Sequence, residues 1–270
     1  MPKKAATSNN KFPFDRLVEL IRCSRKVCIV GYELSCESNA PHFNDILNGV
    51  WSNLSKNSKI DPFISGNGYS VVLNWFSWRR QLINATKPSK VYQTLRDMKQ
   101  DDSNFIIATQ CVDGLINTQG MSDVYELYGN VIKTRCYESS HEFSIWPDIK
   151  ENNQKMLCHI CGSPIFPNVE MFGWNKKIEV RNALLEQMAV ADVLLLLGVD
   201  RNLSPFNEMS IEAMSGLPVI ELKKNCLLLK EGDFTYTASI GEMEKYIGQP
   251  LTAPADLPYY RVLNFLCNIF

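Results

Sequence analysis

The chain is 270 residues long and 45% hydrophobic, enough to bury a full core as one large domain or as one carrying a smaller insertion. Its 28 basic and 29 acidic residues give a net charge of −1, which leaves no basis for a nucleic-acid or membrane-surface partner. No apolar run approaches the roughly 20 residues of a membrane span, and nine cysteines without a secretory signal imply reduced thiols in an intracellular, cytoplasmic protein.

Residues 1–11, which open MPKKAATSNN, lack the apolar core of a signal peptide and read as a disordered tail. Phe14 to Arg22 has apolar residues at helical spacing, and Val27 to Val30 follows as a short buried strand ending at Gly31. Asn67 to Thr86 reads as a helix, and a second helix runs from Lys87 to about Met98, with Pro88 in its first turn. A polar turn leads into the apolar strand at Phe105-Ile-Ile-Ala, which ends at Thr109-Gln110 before Asp113 and Gly114. A short strand near Val124-Tyr125 delivers Tyr128 and Gly129. A helix from Ile178 to Val190, a strand at Val193 to Leu197 and another at Pro218 to Leu222 complete the alternation, with a last strand near Phe234. Beyond Gly248, a proline-punctuated linker leads to a short amphipathic helix. Short apolar runs alternating with helical patterns predict an α/β fold with a doubly wound, mostly parallel sheet.

Several motifs sit on this frame in order. The first strand runs into GYELSCESNAPHFN, with Gly31, Ser35, Ser38, Pro41 and Phe43. NWFSWRRQ carries Phe76 and Arg79, and TQCVDGLI carries Thr109, Gln110, Asp113 and Leu115. Tyr128-Gly129 precedes Cys136, and the chain's one C-x-x-C pair is Cys158 and Cys161. PNVEMFGW holds Val169, Phe172 and Gly173; GVDRNLSP holds Gly198 and Asp200; YTAS ends at Ser239. Together these resemble the sirtuins, the NAD-dependent protein-lysine deacylases, from about Phe14 to Ile247, and most closely the bacterial, desuccinylase-like class.

The resemblance implies a Rossmann-like domain from 12–44, 96–135 and 166–248. A small domain of 45–95 and 136–165 would combine a helical insertion with a zinc-ribbon-like module, and 249–270 has no family counterpart. It assigns cofactor contacts to Gly31, Ser35, Gln110, Asp113, Gly198, Asp200 and Ser239. Acyl-lysine peptide contacts fall to Phe76, Arg79, Val169, Phe172 and Gly173, with Arg79 reading an acyl carboxylate. A bland alternative makes NWFSWRRQ an aromatic packing face with a solvated arginine pair. A structural zinc would sit on Cys136, Cys158 and Cys161. Ser139 is a poor fourth ligand, and His141 or His159 is left to complete the set or the ribbon to hold without metal.

The departures from the pattern concern chemistry. Tyr128 takes the place of the catalytic histidine, and a phenol titrating near 10 is a weak general base at neutral pH. Glu33 replaces a phosphate-loop glycine and puts a negative charge where an anion should sit. Asn44, Cys111, Ile116 and Lys223 alter further cofactor or catalytic positions. These changes predict weakened or lost NAD binding in a weakly active or non-catalytic binding homologue, holding an acyl-lysine peptide or another protein at its cleft. The alternatives are an active acetyl- or succinyl-lysine deacylase and an ADP-ribosyltransferase or NAD-cleaving enzyme.

Overall fold

The structure, a computed structural model, describes residues 11–40, 68–139, 141–143, 156–170, 176–206, 216–251 and 258–269. The expected disordered tail up to residue 10, together with Asn44, Phe172 and Gly173, lies outside the described residues.

Helix α1 (Phe14–Cys23) buries Leu17, Leu20 and Ile21, spaced to share one face, and hands the chain to strand β1 (Lys26–Val30), buried along its whole length. Helix α2 (Tyr32–Glu37) follows after a single residue, Gly31. Helices α3 (Gly68–Ala85) and α4 (Lys90–Asp101) lead to β2 (Phe105–Thr109). The second of these starts later than the sequence suggests. Ser89 is its N-cap residue, in extended conformation, so Pro88 precedes the helix instead of lying in its first turn.

The main sheet continues with β3 (Tyr125–Glu126), β7 (Val193–Leu197), β8 (Val219–Leu222), β9 (Cys226–Glu231) and β10 (Phe234–Ser239). The strand order is β10-β9-β8-β7-β1-β2-β3. β1 pairs parallel with β2, Val30 opposite Thr109, and parallel with β7, Val30 opposite Leu197. β8 and β3 extend the parallel block on either side. β9 is the strand that the sequence reading missed. Only Lys223, Lys224 and Asn225 separate it from β8, and so short a link can join strands only in antiparallel fashion. Its Leu227 and Leu229 alternate into the core, a period-2 signal masked by the unbroken apolar run around them.

A second, three-stranded antiparallel sheet has the order β5-β4-β6, formed by Glu142–Phe143, Gly129–Cys136 and Ile165–Val169. Helix α5 (Ile178–Ala189) crosses back to β7, α6 (Ile240–Ile247) follows β10, and α7 (Pro258–Ile269) closes the chain. The last helix is part of the core: Tyr259, Val262, Leu263, Phe265, Leu266 and Ile269 are all buried, with Phe265 edge-on to Phe14. Among the described residues, no helix is long and apolar enough to cross a membrane.

Candidate active site

The carboxyl ends of β1, β2 and β7 bring three turns together, the usual place for a ligand in an open α/β sheet. At the first, a Cβ on Gly31 would stand 2.0 Å from the carbonyl oxygen of Gly198, so only glycine allows the two turns to meet. At the second, Gln110 clamps the 198–205 loop: its side-chain amide donates to the carbonyls of Asp200 (2.9 Å) and Ser204 (3.0 Å) and its oxygen accepts the Asp200 N–H (2.9 Å). The Asp200 carboxylate accepts the N–H of Asn202, which shapes the same loop.

Beneath these turns lies a buried polar cluster. The Ser35 hydroxyl donates to the Asp113 carboxylate, with the Cys111 sulfur 3.1 Å away and the Tyr92 hydroxyl 3.4 Å away. Asp113 also accepts the N–H of Leu115. Burial pushes the Asp113 carboxyl above its ordinary range, against the pull of Ser35, the Leu115 amide and Arg79. Burial also raises the Cys111 thiol to about 12, which keeps it protonated at neutral pH and poorly nucleophilic.

Glu33 is the second residue of α2 and reaches the C-terminal helix. Its carboxylate accepts a hydrogen bond from the Tyr259 hydroxyl of α7 and lies 3.8 Å from Lys224. Ser239 stands apart from the other expected cofactor residues, on the edge strand β10. There its hydroxyl caps α6 in a reciprocal box with Glu242.

Tyr128 follows β3 and is half-buried. Its phenol oxygen accepts the Ser204 N–H at 2.7 Å, and the Arg181 guanidinium lies 4.7 Å from the ring centroid. Arg181 is itself fixed by the Leu127 carbonyl (3.2 Å) and an ion pair with Glu170. The ring therefore sits between the 198–205 loop and a cation. Gly129, at a φ of 85°, lets the chain turn straight onto β6, where Val169 is buried.

On α3, Phe76 is fully buried and packs edge-on against Trp75. Arg79 is only 2% exposed, with its guanidinium 5.8 Å from the Trp75 ring centroid. Burial lowers its pKa, opposed by the nearby Asp113 charge. Arg80 is buried as well and donates to the Val131 carbonyl. The solvated arginine pair of the bland reading is thus absent, because both guanidinium groups turn inward.

The expected metal residues converge at one end of the small sheet. Cys136, Cys158 and Cys161 meet His141, with ligand atoms all within 4.8 Å of one another. The Cys136–Cys161 sulfur distance is 3.8 Å, and His141 Nδ1 lies 3.7 Å from Cys136 and 3.6 Å from Cys158. Zinc–sulfur bonds of about 2.3 Å in a tetrahedron put sulfurs about 3.8 Å apart, so the donor set fits that ion. Hydrogen bonding with Ser163 and Ser139 draws the Cys161 thiol down to about 5, while burial pushes Cys136 up to about 12. Of the two histidines that the sequence left open, His141 is the one that joins the cluster; His159 lies tilted against Phe143, with ring centroids 4.9 Å apart.

Residues 31–205 match the model of the Sir2 family, and this span carries every turn described above except that of Ser239. The chain belongs to the Sir2 family. It is 30% identical over 198 residues to the NAD-dependent protein deacylase of Aquifex aeolicus, covering 73% of this chain and 82% of that protein. The corresponding deacylase of Leptospira interrogans serovar Lai is 29% identical over 197 residues, covering 72% of this chain and 79% of the relative. Among solved structures, a Sir2 homolog–NAD complex superposes with a TM-score of 0.65 at 18% identity, covering 97% of this chain and 95% of that one. A Sir2 complex with an inhibitor, 2′-O-acetyl-ADP-ribose and deacetylated p53 peptide gives 0.55 at 21% identity, over 77% and 86%. The Rossmann-like sirtuin fold expected from the sequence is the one observed.

Proposed function

We propose that the protein is an NAD-dependent protein-lysine deacylase that acts on acyl-lysine peptides. When bound, NAD supplies an electrophilic ribose carbon with nicotinamide as its leaving group. Gly31, Gly198 and Asp200 would line the dinucleotide, with Ser239 at the outer end, while Ser35, Gln110 and Asp113 hold the turns in place. Phe76, Arg79 and Val169, with Phe172 and Gly173, would take the acyl-lysine side. Tyr128 would handle the proton, its oxygen fixed by the Ser204 amide and its ring faced by a cation that stabilises charge developing on the phenol. Zinc on Cys136, His141, Cys158 and Cys161 would be structural, since four protein ligands leave no open position.

The observation that carries this reading is the direction of Glu33. The sequence objection to NAD binding is an unpartnered carboxylate in the phosphate loop, and that carboxylate is engaged by the Tyr259 hydroxyl with Lys224 3.8 Å away. The test is nicotinamide release by the wild-type protein with acetyl- and succinyl-lysine peptides. Peptide-dependent release supports the proposal, and its absence at millimolar NAD sinks it.

A second reading, a binding homologue without turnover, draws on the phenol at position 128, a poor base near neutral pH. Tight ADP-ribose binding without nicotinamide release would favour it.

A further inference from the structure

Two carboxylates of α2 converge on one residue of α7. Glu33 accepts from the Tyr259 hydroxyl, and one turn later Glu37 accepts the Tyr259 backbone N–H at 2.6 Å. Tyr259 is 2% exposed, and the helix behind it is packed into the core through Val262, Leu263, Phe265 and Leu266. The phenol therefore cannot follow Glu33 if that side chain swings; it is a fixed donor. Burial and the Glu33 charge both raise its pKa, so it keeps its proton. The other partner of Glu33, Lys224, is 63% exposed, and a solvated pair of this kind contributes little.

The stem of Glu33 is pressed against the opposite turn: its Cβ lies 2.8 Å from where a Cβ on Gly198 would stand. Rooted beside the Gly198 turn, Glu33 carries its carboxylate to α7. We infer that Tyr259 is a positioning residue of the cofactor site, tethering the Glu33 carboxylate away from the Gly31–Gly198 turns so that a dinucleotide diphosphate can bind there. The inference rests on the deacylase reading for what occupies those turns. It assigns a role to the C-terminal helix, which lies beyond the family-matched residues.

The test titrates the full-length protein with ADP-ribose by calorimetry. Tyr259→Phe removes only the hydroxyl and should weaken binding about tenfold, the scale of one added like charge near the diphosphate. Adding Lys224→Met should weaken it further, and the loss should shrink at high salt. Adding Glu33→Gln to Tyr259→Phe should restore wild-type affinity even if the unfolding midpoint stays low, which a purely structural role would not produce. Wild-type affinity in both Tyr259→Phe and Tyr259→Phe/Lys224→Met overturns the inference, as does a loss that Glu33→Gln fails to rescue; either result leaves the deacylase reading standing. A wild-type protein silent to millimolar ADP-ribose overturns that reading and the inference with it.

Discussion

Tyr128 is where residue chemistry bears hardest on activity. Its phenol oxygen accepts the Ser204 N–H, which fixes where the hydroxyl stands relative to the 198–205 loop. If the phenol handles the proton, its loss should be read in turnover, with NAD and peptide binding little changed. Tyr128→Phe should then reduce turnover by about 10²–10⁴-fold, the usual contribution of general acid–base catalysis. A rate unchanged by Tyr128→Phe would place proton handling elsewhere. Arg79 offers a second residue-scale test. Its burial beside Asp113 makes it a desolvated cation suited to an acyl carboxylate, so Arg79→Met should raise KM for succinyl-lysine peptide and leave acetyl-lysine nearly unaffected. Equal losses for both peptides would mean that Arg79 serves only to balance Asp113.

Among the elements, the cluster of Cys136, His141, Cys158 and Cys161 has the simplest chemistry. Each ligand must be deprotonated to bind, so protons compete with the metal, and zinc content should fall as the solution is acidified. Elemental analysis should find about one zinc per chain at neutral pH. His141→Ala should lower zinc content and unfolding midpoint together, while His141→Cys should keep the metal; an unchanged zinc content in His141→Ala would remove the histidine from the set. What could be read in advance here was uneven. Cys158 and Cys161 were legible from their spacing and Cys136 from the family resemblance, whereas the choice of His141 over His159 depends on the β4–β5 turn. The β8–β9 hairpin was missed for a related reason, since its apolar run suits strand and helix alike. The turns at Gly31, Gln110 and Gly198 were legible because they follow directly from buried strands. The orientation of Glu33 was not, because its partner Tyr259 lies 226 residues away in sequence.

For the molecule as a whole, the C-terminal helix α7 joins the cofactor side to the core. The sequence marks it as a short amphipathic helix after a linker, a description that would equally suit a loosely attached tail. In the structure its apolar face is buried along its length, and Phe265 packs against Phe14 of the first helix. A detachable tail and a core element respond differently to truncation of a side chain. Phe265→Ala should cost about 3–5 kcal/mol, as a large aromatic lost from a packed interior does. That is a large share of the roughly 5–15 kcal/mol holding a typical domain together. Ile160→Ala, at a site 59% exposed between Cys158 and Cys161, should stay within about 0.5 kcal/mol. Denaturant midpoints of the two variants measure both. A Phe265→Ala variant as stable as Ile160→Ala would show α7 to be dispensable, and the fixed position of Tyr259 would lose its support. A large loss would bind the last helix to the same cooperative unit as the cofactor turns, so that saturating ADP-ribose, at about 100 times its Kd, should raise the global stability of the whole chain by about 2.7 kcal/mol.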